Sequence, residues 1–312
     1  MSVASTEGYR ALRTRAAWLD LSGRGKIRAS GDDRARLLHA MSTNHVQQLK
    51  PPDGCYAFFL NAQGRILADV NLFCFEDHFL LDTEPETRHK LFEHLDRYII
   101  ADDVTLLDET DSLATIGLEG PEAATILATL GAPIPAAPYS TVQWEARTIA
   151  RVDSTGMGGF FLFTSVEDKV KLIEVLEQAG AVPATADEAN VVRIENGHPR
   201  YGEEITERFL VQETGQLQAV HFNKGCYLGQ EIVERVHSRA QIHRLLRRVE
   251  IDSTDVPPAR TKLKLGEADA GEIVSAVLSP SLGKVIAMAY VRTTNAEPGT
   301  EISLNGASAR VT

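Results

Sequence analysis

Between Pro51 and Leu107 the apolar residues change period twice, and this change limits the fold more than any other feature of the sequence. Cys55–Leu60 and Ile66–Phe75 are short apolar runs joined by Asn61-Ala62-Gln63-Gly64. After the turn at Pro51-Pro52-Asp53-Gly54, that pattern predicts a β-hairpin. Pro85 to Ile100 then carries Leu91, Leu95 and Ile99 one helical turn apart, with Pro85 where a first turn tolerates it, so a helix follows. Phe79–Asp82 and Val104–Leu107 read as strands on either side. Strand, strand, helix, strand packs as an α+β sandwich, because a sheet with one apolar face needs helices to cover it.

Upstream, Trp18–Ala29 reads as strand, turn and strand around Gly23 and Gly25; Asp32 and Asp33 then open a helix carrying Leu37, Leu38 and Met41. From Leu113 the design partly recurs. A strand runs to Leu118, Gly120-Pro121 opens a helix, strands lie near Thr148–Val152 and Gly159–Phe163, and a helix follows from Val166 to about Gln178. Gly156-Met157-Gly158-Gly159 lacks the spacing of a dinucleotide fingerprint and reads as a hairpin turn. Beyond Arg248 come short strands at Thr261–Leu265, Glu272–Leu278, Val285–Val291, Glu301–Leu304 and Ala309–Val311, the spacing of a small β-barrel or sandwich.

With 312 residues and 43 % apolar side chains, the chain can build two or three cores. Its formal charge of −11 argues against a broad basic surface, so no direct nucleic-acid contact is expected. Three scattered cysteines form neither a disulfide framework nor a Cys-x-x-Cys metal site, and no apolar stretch approaches the ~18 residues of a membrane span. No resident metal and no membrane partner are expected, and the default location is a reducing cytoplasm. Cys55 and Cys74 fall inside apolar strands and read as packing residues.

Lys224-Gly225-Cys226-Tyr227-Leu228-Gly229-Gln230-Glu231 concentrates the unusual chemistry. Ile232, Val233 and Val236 suggest a helix from near Leu228, which puts Cys226 just ahead of a helix N-terminus with the Lys224 cation nearby. Both features favour a thiolate, so Cys226 is a candidate reactive thiol, set against an ordinary small residue in a tight turn.

This motif resembles the signature of the YgfZ family of folate-binding proteins, including its run-in Ala219–Asn223 and run-out Ile232–His237. That family is related to the T protein (aminomethyltransferase) of glycine cleavage and is similar to a mitochondrial protein of iron–sulfur cluster maturation. Arg193-Ile194-Glu195-Asn196-Gly197 with Tyr201-Gly202 resembles the Arg-x-Glu-x-Gly…Tyr-Gly run of both groups. The resemblance implies that Glu195 takes the amino edge of a pterin, for which a carboxylate is suited; a weak Arg193–Glu195 salt bridge across a strand is the plainer alternative. Gly64-Arg65-Ile66-Leu67-Ala68-Asp69 is similar to the T-protein segment whose acid meets the pterin, with Asp69 as that acid. Many T proteins carry two acids in succession here, and Ala68 replaces the first.

The resemblance implies an α+β fold of two sandwich units around a central cavity, plus the small C-terminal β-barrel. Its expected domains are 1–110 for the first part of a folate-binding unit, 111–190 for a second α+β unit, 191–246 for the return to the first with the cysteine motif, and 247–312 for the barrel. Tetrahydrofolate or a derivative is the implied cofactor. Asn44, Asp69, Glu195, Lys224, Gly225, Tyr227, Gln230, Glu231 and Arg244 are the implied folate-site residues, with Cys226 and Asp69 as the chemical groups. The implied role is support of iron–sulfur cluster assembly or repair, and through it tRNA modification, with iron–sulfur client or assembly proteins as partners. Two other functions stay open: aminomethyl transfer, against which Ala68 and Cys226 count, and a folate-dependent scaffold without chemistry.

Overall fold

A computed structural model describes residues 6–239 and 242–312. In chain order the first elements are α1 (Glu7–Thr14), β1 (Ala17–Asp20), β2 (Gly25–Ser30), α2 (Arg34–Met41), β3 (Gly54–Leu60), β4 (Ile66–Cys74), β5 (His78–Thr83), α3 (Arg88–Asp96) and β6 (Thr105–Asp108). Next come β7 (Leu113–Glu119), α4 (Ala123–Thr129), β8 (Thr141–Trp144), β9 (Arg147–Ala150), β10 (Gly159–Ser165), α5 (Lys169–Gln178), β11 (Val182–Pro183) and α6 (Ala186–Glu195). The last are α7 (Gln230–Arg239), β12 (Arg244–Ile251), β13 (Lys262–Leu265), β14 (Ala268–Ser279), β15 (Lys284–Arg292), β16 (Glu301–Leu304) and β17 (Ala307–Val311).

The strands form three sheets. One has five strands in the order β3-β4-β5-β2-β6, one has six in the order β11-β1-β7-β10-β9-β8, and β12-β15-β14-β13-β16-β17 close into a barrel. The α+β expectation with a terminal barrel therefore holds. In the five-stranded sheet, strand alternation assigns the two faces. Ala68, Val70, Leu72 and Cys74 pack with Leu37, Leu38, Leu91 and Leu95 of α2 and α3, while Phe73 turns the other way and meets Phe161 and Phe163 of β10. Burying a phenylalanine or leucine completely is worth about 1.5–3 kcal/mol, so these contacts hold the two sheets face to face.

Several local readings change. The strand–turn–strand expected over Trp18–Ala29 is split: β1 pairs with β7 and β11, whereas β2 pairs with β5 and β6. The first residues of the chain thus enter the second sheet, although 1–110 was expected to build the first unit. The helix expected over Pro85–Ile100 is the shorter α3 after a single 3₁₀ turn, and Ile100 is 89 % exposed, so its apolar character did not report burial. The helix α6 had not been anticipated. Its signal was a capping box: the Glu188 amide donates to Thr185 Oγ1 (3.2 Å) and the Thr185 amide to Glu188 Oε2 (2.6 Å). In the barrel, Gly271 is required, because a Cβ there would lie 2.6 Å from the Tyr290 carbonyl oxygen. Among the described residues, no helix is long and apolar enough to cross a membrane.

Candidate functional site

A cavity of about 800 Å³ lies where the two sheets and α6 meet, within the size range of a cofactor site. One wall comes from β3 and β4, where Tyr56 stands opposite Asn71 and Phe58 opposite Asp69, so that Tyr56 and Asp69 are diagonal neighbours. Tyr56 Oη donates to Asp69 Oδ2 at 2.9 Å, and Asp69 Oδ1 is buried without a partner. Burial, reinforced by the Glu84 carboxylate and opposed by Arg24, pushes the Asp69 carboxyl up to about 7. A group with that pKa both holds and releases a proton near neutral pH.

Glu84 reaches the cavity from the end of β5 and was not singled out in the sequence. Burial works against its charge, yet Arg24 and Arg200 hold it below the usual carboxylate range. Arg24 bonds both Glu84 and Asp82 (Nη2–Oδ2 2.8 Å), and Arg200 Nε donates to Glu84 Oε2 at 3.0 Å. Two neighbouring carboxyls are thereby driven apart: Glu84 stays ionised and Asp69 readily accepts a proton. Asn71, two residues along β4 on the same face, fixes Asp82 from the other side at 2.9 Å. Ala68 faces the core instead, so an acid there could not share the cavity, and Glu84 supplies the second carboxylate.

The opposite wall carries Tyr139, Asp153 and His198. The Tyr139 ring lies 6.4 Å from that of Tyr56 and within 14° of parallel, and its backbone is held at φ 62°, a costly conformation for a tyrosine. Burial lowers the His198 pKa, partly offset by Asp153. Arg193 reaches the cavity from α6 and bonds Glu204 at 2.8 Å.

Of the residues picked from the sequence, only Asp69 lines this cavity. Asn44 spends its amide on the Tyr56 and Gln218 carbonyls (2.9 and 3.0 Å), behind the wall rather than in it. Glu195 faces away, taking hydrogen bonds from Tyr9 Oη (2.8 Å), Arg13 Nη1 (2.8 Å), Ser279 and Ser281. Its partner is thus Arg13, and Arg193 pairs with Glu203 and Glu204. Lys224 is buried, its ammonium donating to the carbonyls of Ser42 (2.6 Å), Asn44 (2.8 Å) and His39, which end α2. That ammonium is consumed as a helix cap and is not a free cation for the thiol. Gly225 and Cys226 are exposed, and α7 begins at Gln230, two residues later than expected. Tyr227 is buried beneath Lys224, whose Nζ lies 4.8 Å from the ring centre. Gln230 Oε1 accepts from the Tyr227 amide at 3.3 Å, and Glu231 is exposed in the first turn of α7. Arg244 is held by Glu213 (2.9 Å) over the ring of Phe209.

Residues 1–224 match the GCVT N-terminal domain and residues 244–312 match the glycine cleavage T-protein C-terminal barrel domain. The chain belongs to the glycine cleavage T-protein family. An aminomethyltransferase of Streptomyces coelicolor is 31 % identical over 311 residues, covering 95 % of this chain and 83 % of that protein. One from Rubrobacter xylanophilus is 30 % identical over 294 residues, covering 91 % and 78 %. The crystal structure of the glycine cleavage system aminomethyltransferase T from Bartonella henselae has the same fold, with a TM-score of 0.88 over 98 % of this chain and 87 % of that one at 21 % identity. These matches establish the T-protein family as a whole; the narrower YgfZ resemblance is a separate question.

Proposed function

We propose that this T-protein family member binds tetrahydrofolate in the cavity and transfers a one-carbon unit of the aminomethyl type. One observation carries the reading: Asp69 lines a cavity of about 800 Å³, keeps one buried carboxylate oxygen without a partner and has a pKa of about 7. A flat heterocycle rich in N–H donors suits such an acceptor, so the residues fit the folate expected for the family. Asp69 would hold or take a proton at Oδ1, Tyr56 fixes its other oxygen, and burial, reinforced by a Glu84 that Arg24 and Arg200 keep charged, makes Asp69 titrate near neutrality. Tyr56 and Tyr139 flank the same space with their rings nearly parallel. Bound tetrahydrofolate supplies the nitrogens that carry the one-carbon unit. The aminomethyltransferase relatives support transfer as the chemistry.

The test is calorimetry with tetrahydrofolate, followed by incubation with an aminomethylated lipoyl carrier protein. Heat with the wild type, its loss in Asp69→Ala and release of ammonia with methylene-folate support the reading. Absence of heat, together with no thermal stabilisation at about a hundredfold excess over Kd, where linkage gives roughly 2.7 kcal/mol, rejects it.

A second reading, YgfZ-type support of iron–sulfur proteins, is favoured by Cys226: among the three cysteines it alone is exposed, and it stands in the Lys-Gly-Cys-Tyr motif. Binding of folate without transfer, together with loss of iron–sulfur enzyme activity in cells carrying Cys226→Ser, selects this second reading.

A further inference from the structure

Glu119, the last residue of β7, is fully buried and appears in none of the site chemistry above. Its two carboxylate oxygens take four hydrogen bonds from two successive residues. Oε1 accepts from the Ser154 amide (2.9 Å) and hydroxyl (2.7 Å), and Oε2 accepts from the Thr155 amide (3.0 Å) and hydroxyl (2.5 Å). Its register partners on β1 and β10 are Ala17 and Gly159, small residues without charge. Asn196 Nδ2 fastens the Thr155 carbonyl from α6 at 2.8 Å. The segment so held is a cavity wall, since Val152, Asp153 and Ser154 line the same space as Asp69.

A buried carboxylate is costly when charged, so the proton that Glu119 holds bears on the loop it fastens. We propose that Glu119 is a positioning residue of the folate cavity: its carboxyl clamps the Asp153–Ser154 wall in the shape the ligand meets, and loss of its proton loosens that wall. The ligand in this statement rests on the folate reading, while the clamp does not. The hydrogen-bond inventory gives the reason. A proton on either oxygen can be donated to the Ser154 or Thr155 hydroxyl, which rotates to accept it, while both backbone amides keep an acceptor. Burial and the adjacent Asp153 push the Glu119 carboxyl up to about 7, so the clamped wall holds the proton more tightly than an opened one and the change falls in an accessible range. Asp153 is the charged group acting on it, and Asp153 in turn acts on His198, which lines the same cavity.

The experiment uses the whole chain as wild type, Glu119→Gln and Thr155→Val. Hydrogen exchange at the Ser154 and Thr155 amides is measured without ligand at pH 6 and 8, corrected for intrinsic exchange. Calorimetry with 5-formyltetrahydrofolate follows at the same pH values. Linkage to the raised pKa predicts about a tenfold rise in wild-type protection from pH 8 to pH 6, with Kd falling in step. Glu119→Gln should begin at the low-pH level and show no step. Thr155→Val should lower protection at both pH values and keep the step, and it carries the test alone if the glutamine variant does not fold. If the wild type gives no heat with the folate at either pH, the folate reading fails and the exchange data still decide the clamp. Wild-type protection without a step, a glutamine variant indistinguishable from wild type, or a step in protection with an unchanged Kd would each overturn the positioning role.

Discussion

Replacing Asp69 by Asn should make the protein more stable at pH 8 while removing its chemistry. Folding displaces the Asp69 carboxyl from 3.8 to about 7, which at 1.36 kcal/mol per pKa unit amounts to roughly 4 kcal/mol against the folded state once the group is ionised. The sign follows from proton binding: the folded form binds the proton more tightly, so the contribution of Asp69 to stability is fully present below pH 3.8 and is lost as pH rises towards 7. Asparagine keeps an acceptor for Tyr56 Oη but sets an amide where Oδ1 has no partner, an offset of about 1–3 kcal/mol. The variant should therefore gain about 1–3 kcal/mol at pH 8, and linkage makes that gain about 3 kcal/mol smaller at pH 4.5. Urea unfolding followed by fluorescence of Trp18 and Trp144 at both pH values measures the difference. Folate-dependent transfer should fall by roughly 10²- to 10⁴-fold, the usual worth of a positioned acid–base group. A stability difference that does not change with pH, or a variant that loses ground as pH rises, would refute the account of Asp69.

Lys224→Met removes three bonds to the end of α2 and should cost about 2–4 kcal/mol, measured by urea unfolding. Because burial pushes the Lys224 pKa down to about 7, the wild-type advantage should shrink as pH falls from 10 to 6. Glu195→Gln should lower stability by about 2 kcal/mol through its loosened ties to Tyr9 and Arg13, yet weaken folate binding in calorimetry by less than the roughly tenfold that loss of a direct charge-assisted pterin contact would cost. Iodoacetamide should alkylate Cys226 alone in the native protein, since Cys74 is buried and burial pushes the Cys55 thiol up to about 12. Mass spectrometry reads the result, and Cys226→Ser should shift stability by no more than about 0.5 kcal/mol.

Elements with a strong local signal were legible in the sequence. The hairpin of β3 and β4, the helices flanking it and the barrel strands β13 to β17 follow from periodicity and turn residues, whereas β12, rich in arginine, was not read as a strand; Asp69 came from a recognisable segment. The pairing of β1 with β7 and β11 was not legible, because a strand flanked by Gly23 and Gly25 carries no mark of which sheet it joins. Glu84, Arg24, Arg200 and Tyr139 were missed for a related reason: each is an ordinary polar or aromatic residue until tertiary packing brings it to the cavity. Glu195 shows the converse. It stands in a recognisable motif, but it is the last residue of α6, and that end of the helix points to Tyr9 and the barrel.

That helix has two audiences. Ala186, Asp187, Asn190 and Arg193 look into the cavity, while Glu195 at its end is tied to Ser279 and Ser281 of the barrel; among the described residues no barrel side chain lines the cavity. The barrel therefore behaves as a splint set at a distance from the wound. A change at Ser279 would travel along α6 and register as poor ligand affinity, although nothing near the ligand had been altered. Selection for binding then reaches serines that never meet a ligand, and the remaining turns of the barrel are left free to drift.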